Sequence, residues 1–166
     1  MNDSRPAVRV LTTGGTIDKV YFDARSEFEV GDPIVDTILS EALVEVPWSV
    51  DVLMQRDSLE LTQEDRERIR DAAEAAPEDC ILITHGTDTM SETAEFLQEL
   101  GRRKTIVLTG SLSPARFRNS DAVFNIGAAF SACQVLEPGV YIAMNGRIFN
   151  AGQVRKNTET NRFEVT

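Results

Sequence analysis

Two short segments of this 166-residue chain gather hydroxyl, carboxylate and glycine groups at spacings suited to chemistry on a small molecule. In Thr12-Thr13-Gly14-Gly15-Thr16 the glycine pair lets the backbone turn tightly and present amide N–H groups, with a hydroxyl directly after the turn. Alone the pair is a weak signal, and it matches neither the dinucleotide fingerprint nor the phosphate loop. In His85-Gly86-Thr87-Asp88-Thr89-Met90 a hydroxyl and a carboxylate stand side by side. Helix capping by Thr87 or Asp88 explains that adjacency as well as catalysis does. His85 is the one histidine, so a histidine-based triad would have to use it; a structural role is the better reading. A threonine hydroxyl acts as a nucleophile only when a base takes its proton. Lysine serves as that base when burial or neighbouring cations lower its pKa, and pairing with a carboxylate works against this. Backbone N–H groups around Gly86 to Asp88 could stabilise negative charge building on a substrate oxygen, where loss of one donor typically costs about 3 kcal/mol of barrier.

The elements that must place these groups follow from periodicity. Val8 to Leu11 reads as a first strand and Val50 to Met54 as a second; Cys80 to Ile83, Thr105 to Leu108 and Val140 to Ala143 are short apolar runs of the kind buried in parallel sheets. Pro33 fits the first turn of a helix bearing Ile34, Ile38 and Leu39. Thr62 with Asp65 resembles a capping box opening Gln63 to Ala76. Further helices are expected over Ser91 to Leu100, ended by Gly101, and over Asp121 to Val135. Asp18 to Asp32 is polar, of mixed charge and without helical period, which suggests a working loop. The tail from Asn145 to Thr166 is polar and hairpin-like. Alternating strands and helices predict an α/β three-layer sandwich with a mostly parallel sheet. Ligands bind beyond the carboxyl ends of such strands. Thr12 to Thr16, Gln55 to Ser58 and Thr84 to Thr89 should therefore converge on one rim.

A net charge of −10 and a pI near 4.6 disfavour nucleic acid and anionic membranes as partners. The 42% hydrophobic and 27% charged fractions are those of a globular protein. The polar start, Met1 to Arg9, lacks the apolar run of a secretion signal, and a cytoplasmic setting is expected. Cys80 and Cys133 read as buried reduced thiols, and no spacing suggests a metal site.

Thr13-Gly14-Gly15-Thr16-Ile17 and His85 to Met90 together resemble the bacterial-type asparaginases, a family marked by TGGTI and HGTDTM segments. The likeness continues through Asp57-Ser58, Gly110-Ser111, Asn119-Ser120-Asp121, Phe124-Asn125 and Lys156-Asn157-Thr158, and so spans nearly the whole chain. It implies a flavodoxin-like sheet with a left-handed crossover. It also implies hydrolysis of asparagine through an acyl-enzyme, with no metal or organic cofactor. Thr16 matches the family nucleophile; Thr87, Asp88 and Lys156 match its second hydroxyl, acidic neighbour and lysine. Gln55, Arg56, Asp57 and Ser58 match the segment holding the substrate's α-groups, with Gly15 and Gly86 beside them. Residues 1–166 would then be a single domain of the N-terminal catalytic type, without the family's second domain. That domain lends a carboxylate to a neighbouring subunit's site, so its loss would leave α-ammonium recognition to Asp57 and Asp88. A homo-oligomer is implied as well.

One departure concerns the family's loop tyrosine before a Val-Gly pair. Phe28 stands there, so the activating role falls to Tyr21 or is vacant, both aromatics then merely packing. Asparagine is favoured over glutamine because a compact site offers less to fix the longer chain. An ammonia-releasing amidotransferase subunit and a non-catalytic amino-acid binder are the competing readings. The first would need an RNA-facing extension, and the second has no use for an activated hydroxyl.

Overall fold

A computed structural model describes residues 6–166; the start of the polar N-terminal segment, Met1 to Arg5, lies outside the described residues. Among the described residues, five parallel strands form the main sheet: β1 (Val8–Gly14), β4 (Trp48–Arg56), β5 (Cys80–Thr84), β6 (Thr105–Thr109) and β7 (Gly139–Met144). A sixth, β8 (Arg147–Asn150), pairs antiparallel on the β7 edge. The spatial order is β4-β1-β5-β6-β7-β8. The parallel strands thus follow the flavodoxin-like order, which reverses between β1 and β5. In register, Thr12 of β1 stands beside Thr84 of β5, so the two chemistry-bearing segments leave the sheet together at that reversal.

Alternation along the strands divides the core in two. Ile81, Ile83, Ile106, Leu108 and Ile142 face α2 (Gln63–Ala75) and α3 (Met90–Phe96). Val8, Val10, Leu82 and Val107 face α1 (Val35–Glu41) and α4 (Ala122–Val135). Each fully buried Leu, Ile or Val contributes roughly 1.5–3 kcal/mol relative to exposure. The expected capping box is present: Thr62 Oγ1 accepts from Asp65 N at 3.2 Å, and Asp65 Oδ2 accepts from Thr62 N at 2.9 Å. Both cysteines are buried and unpaired, each thiol donating to a carbonyl across the α4–sheet interface. No helix among the described residues is long and apolar enough to cross a membrane.

Two local expectations change, and the hairpin-like reading of the tail is borne out. The segment read as an irregular loop is an antiparallel hairpin, β2 (Lys19–Phe22) with β3 (Glu27–Val30), because a free ribbon can pair its backbone without burying a face. The helix expected over Ser91 to Leu100 stops at Phe96 and continues as a 3-10 turn over Gln98–Arg102 that includes Gly101. The tail is more ordered than its composition suggests. Asn145 and Gly146, with φ of 53° and 71°, form the tight turn into β8 that an Asn-Gly pair favours. Then β9 (Val154–Asn157) pairs with β10 (Arg162–Val165), and buried Val154 and Phe163 pack into the α2/α3 side of the core.

Candidate functional site

β1 runs into Gly14 and Gly15, whose φ values of +103° and +89° suit glycine alone among residues without strain. Gly15 N–H donates to the Arg56 carbonyl at 2.9 Å, which ties the turn to the end of β4. Space is the second constraint. A Cβ on Gly15 would lie 2.5 Å from Gly86 Cα, and one on Gly86 would lie 2.6 Å from Ser58 Cβ. The ends of β1, β4 and β5 therefore meet backbone to backbone, and the expected rim exists. Thr16 opens a 3-10 turn, Thr16–Asp18, and lines a cleft of about 240 Å³ with Lys19, Phe28, Pro114 and Phe117.

Thr87 and Asp88 hang from the carboxyl end of β5. Lys156 Nζ donates to Thr87 Oγ1 and to Asp88 Oδ1, both at 2.8 Å, across 69 and 68 residues of sequence. Strand alternation explains the reach. Val154 and Lys156 share one face of β9, so anchoring Val154 in the core aims Lys156 at the rim, while Arg155 turns outward to Glu164. Phe163, opposite Lys156 in register, is buried beside it.

His85 is fully buried and serves the backbone. The Gly86 carbonyl can only accept, so His85 Nδ1 carries the hydrogen of that 2.6 Å bond. Nε2 must then accept from Thr93 Oγ1 at 2.8 Å, and Thr93 Oγ1 accepts from Arg66 Nε at 3.1 Å. Burial holds the imidazole neutral, its pKa pushed down to about 4. The chain of bonds fixes the Gly86–Thr87 peptide plane, and the trans geometry turns Thr87 N–H away from His85. The structural reading of His85 agrees with this arrangement; Arg66 and Thr93 carry no signal in the sequence.

The residues at and just after the end of β4 divide. Ser58 is buried, its Oγ accepting from Thr89 N at 3.3 Å and its carbonyl from Thr89 Oγ1 at 2.9 Å. Asp57 accepts Leu59 N–H on Oδ1 at 3.1 Å and Lys19 Nζ on Oδ2 at 3.2 Å. Burial acts to raise this carboxyl, but the Leu59 amide and Lys19 outweigh it, and its pKa lies below the ordinary value. Gln55 lines the neighbouring cleft of about 380 Å³ and donates to Asp32. The Arg56 guanidinium instead pairs with Asp65 at the start of α2, leaving its carbonyl as its contribution to the rim. Tyr21 is 51% exposed on the hairpin with its ring 5.2 Å from that of Phe28; Phe28, not Tyr21, lines the Thr16 cleft. Lys19, which links both clefts, was not singled out in the sequence; as one cation in a mixed-charge stretch it has no motif to mark it.

Asp18, two residues after Thr16, fastens the hairpin. Its carbonyl accepts Gly31 N–H at 2.8 Å and its Oδ1 accepts Ile34 N–H at 3.0 Å, while Oδ2 is buried without a partner. Burial raises its pKa to about 6, opposed by the Ile34 amide and Arg116. Among the described residues no three His, Cys, Asp or Glu side chains are grouped to hold a metal ion.

Comparison with known proteins places this geometry. Residues 7–165 match the profile described as "Asparaginase, N-terminal". A probable periplasmic L-asparaginase of Haemophilus influenzae is 30% identical over 93% of this chain and 47% of its own length. The solved thermostable L-asparaginase of Thermococcus kodakarensis superposes with a TM-score of 0.82 at 29% identity, covering 96% of this chain and 51% of that one. A probable cytoplasmic L-asparaginase of Campylobacter jejuni gives a TM-score of 0.80 at 27% identity, covering 96% and 51%. The chain spans about half the length of these relatives. A matched profile over nearly every residue, with the glycine turn, the His85–Asp88 rim and Lys156 in one place, shows that the chain belongs to the asparaginase family and corresponds to its N-terminal domain.

Proposed function

We propose that this chain hydrolyses the side-chain amide of L-asparagine to L-aspartate and ammonia, with Thr16 as nucleophile. The observation that carries the reading is the Lys156 ammonium held at 2.8 Å from both Thr87 Oγ1 and Asp88 Oδ1. A binding protein has no need to bring a lysine from a distant hairpin onto a hydroxyl. The names of the relatives support the substrate. Thr16 oxygen attacks the amide carbon, its proton passes through the Thr87–Lys156–Asp88 group to the leaving nitrogen, and ammonia departs. Water then attacks the Thr16 ester, releases the new carboxylic acid and restores the hydroxyl. Thr87 N–H, aimed away from His85, is the best-placed donor for the oxyanion.

Asp57, Ser58 and Asp88 of this chain supply the α-group contacts, and residues 1–166 act as one catalytic domain within a homo-oligomer. A cytoplasmic setting is part of the proposal: one relative is named cytoplasmic and another periplasmic.

A second reading makes Thr87 the nucleophile, favoured by its direct hydrogen bond to Lys156. Ammonia release from asparagine, with mass analysis of the trapped acyl-enzyme, decides between them. Thr16→Ala is expected to abolish turnover and leave the fold intact. Thr87→Ala is expected to lower kcat by about 10²–10⁴, as for loss of acid–base help. An acyl group on the peptide bearing Thr87, or substantial hydrolysis by Thr16→Ala, reverses the assignment.

A further inference from the structure

We infer that Arg66 and Thr93, neither of which lines the Thr16 cleft or its neighbour, are positioning residues for the reaction: through His85 they aim and strengthen Thr87 N–H as the oxyanion donor. The inference rests on the amidase reading above and concerns how that donor is made.

The chain of bonds has a direction. Arg66 Nε, on α2, donates to Thr93 Oγ1, on α3, at 3.1 Å. A guanidinium can only donate, so the hydroxyl hydrogen of Thr93 is left to point at His85 Nε2, 2.8 Å away. His85 Nδ1 in turn donates to the Gly86 carbonyl at 2.6 Å. Every link draws electron density towards the guanidinium, and none runs against another. Hydrogen bonds joined head to tail in this way polarise one another, by about 10–30% per bond. The last member is the peptide itself. A carbonyl that accepts a strong hydrogen bond gives its C–N bond more double-bond character and its nitrogen more positive charge, so the N–H on the far side donates better. That N–H belongs to Thr87.

Burial keeps the effect from being screened. Thr93 and His85 are fully buried, and the Arg66 side chain is 11% exposed. The other partners of Arg66 are more distant: the Leu61 carbonyl at 3.4 Å, and Glu92 at 3.5 Å with its side chain 66% exposed. The charge at the head of the chain is therefore not neutralised by a close carboxylate. Burial, with Arg66 adding to it, also holds His85 neutral, which keeps Nε2 an acceptor. Filling this space would need neither a hydroxyl nor a cation, because Val has nearly the shape of Thr.

The test measures kcat and KM for asparagine, by ammonia release, in the parent chain, Thr93→Val, Thr93→Ser and Arg66→Met, each corrected for its folded fraction. Removing an oxyanion donor outright costs about 10²–10³ in kcat, so a donor that is present but weakened should cost about tenfold. Thr93→Val is expected to show that loss with KM within about threefold of the parent, because the oxyanion exists only after attack. Thr93→Ser restores the hydroxyl and should bring kcat back to within about threefold of the parent. Arg66→Met keeps the stem but removes donor and charge, and should lower kcat by at least about threefold. Arg66 lies at the outer end of the chain, so this variant carries the test if Thr93→Val does not fold. The amide nitrogen signal of Thr87 should move upfield in Thr93→Val and Arg66→Met and return in Thr93→Ser; a loss of packing alone gives no such graded shift. A smaller than threefold loss of kcat in either folded variant, a loss in KM alone, or a Thr93→Ser as impaired as Thr93→Val overturns the positioning role and leaves the amidase reading intact. No ammonia from asparagine with the parent chain removes the amidase reading, and this inference with it.

Discussion

One wall of the site, with Thr87 and Asp88, descends from β5, whose five residues are all buried, whereas the other, with Lys19 and Phe28, is a two-stranded ribbon largely in water. On the first wall, the Gly15 and Gly86 backbones lie against each other, the Ser58 side chain abuts Gly86, and the Arg66–Thr93–His85 chain locks the peptide between Gly86 and Thr87. Packing of that density leaves little room for displacement. A lone hairpin is marginally stable in water. This one is held at its base by the Asp18–Gly31 bond and by Arg116, which reaches the carbonyls of Asp18 and Asp32. Its outer end is held by rings, Phe28 lying 5.2 Å from Tyr21 and 5.7 Å from Phe117. The groups proposed for bond-making thus sit where geometry is fixed, and the half-exposed side chains of the Thr16 cleft sit where the chain can yield.

The largest effect should come from the fixed wall. Lys156→Met removes the charge but keeps the length, and kcat is expected to fall by about 10²–10⁴. A variant within twofold of the parent would mean that the rigid wall holds its lysine for stability alone, and the division of labour would fail.

At the joint between the walls the effect should be smaller and should depend on pH. Asp18 titrates at about 6 in the folded chain against 3.8 as the reference for a free carboxyl. The folded state therefore binds its proton more readily. The cost of burying the carboxylate is absent below pH 3.8, grows as pH rises through 6, and is complete above it. Asn cannot ionise. The stability of Asp18→Asn relative to the parent should thus rise between pH 4 and 7, by up to roughly 3 kcal/mol. His85 titrates in the opposite sense, losing stabilisation as pH falls from 6.5 towards 4, but it is common to both proteins and cancels in the difference. Denaturant unfolding at several pH values gives the measurement, and a pH-independent difference would show that Asp18 is not the buried, uncompensated carboxyl described.

The smallest effect belongs to the outer end of the ribbon. Phe28→Ala removes two ring contacts of a half-exposed side chain, each of about 0.5–1.5 kcal/mol at most. Activity should fall less than tenfold. Amide exchange should quicken across Lys19–Val30 and stay unchanged across Thr84–Thr89. Equal acceleration in both segments would show that the two walls move as one.

Much of the fixed wall is legible in the sequence, and the reason is topological. Short apolar runs at β1, β5 and β6 demand a buried parallel sheet, and a parallel sheet delivers the segments after its strands to one edge. Thr16 and Thr87 could therefore be placed on one rim from periodicity alone. The ribbon was hidden because Lys19-Val20-Tyr21-Phe22 does not alternate, and its turn, Asp23 to Ser26, lacks glycine, with Ser26 itself taking φ of 51°. Lys156 was placed by family resemblance, not by pattern. Its local signal, Val154 and Phe163 as isolated apolar residues in a polar tail, becomes meaningful only once the hairpin register sets them against the core. The Arg66–Thr93 support was illegible for a similar reason. Each residue lies on a different helix, and nothing within either helix names the other.

The attachment of Lys156 has a further meaning for how the chain comes into being. Thr16 and Thr87 are fixed by strands from the first half of the sequence, but the lysine reaches them only when β9 and β10 have docked. Closing a contact over 69 residues carries a large loop entropy, and a chain emerging from its N-terminus can order its first strands before that segment exists. A half-made chain can thus form the strands that carry both hydroxyls without the group that joins them. The three-residue polar cluster is completed last, so its presence certifies that the tail has found its place on the sheet.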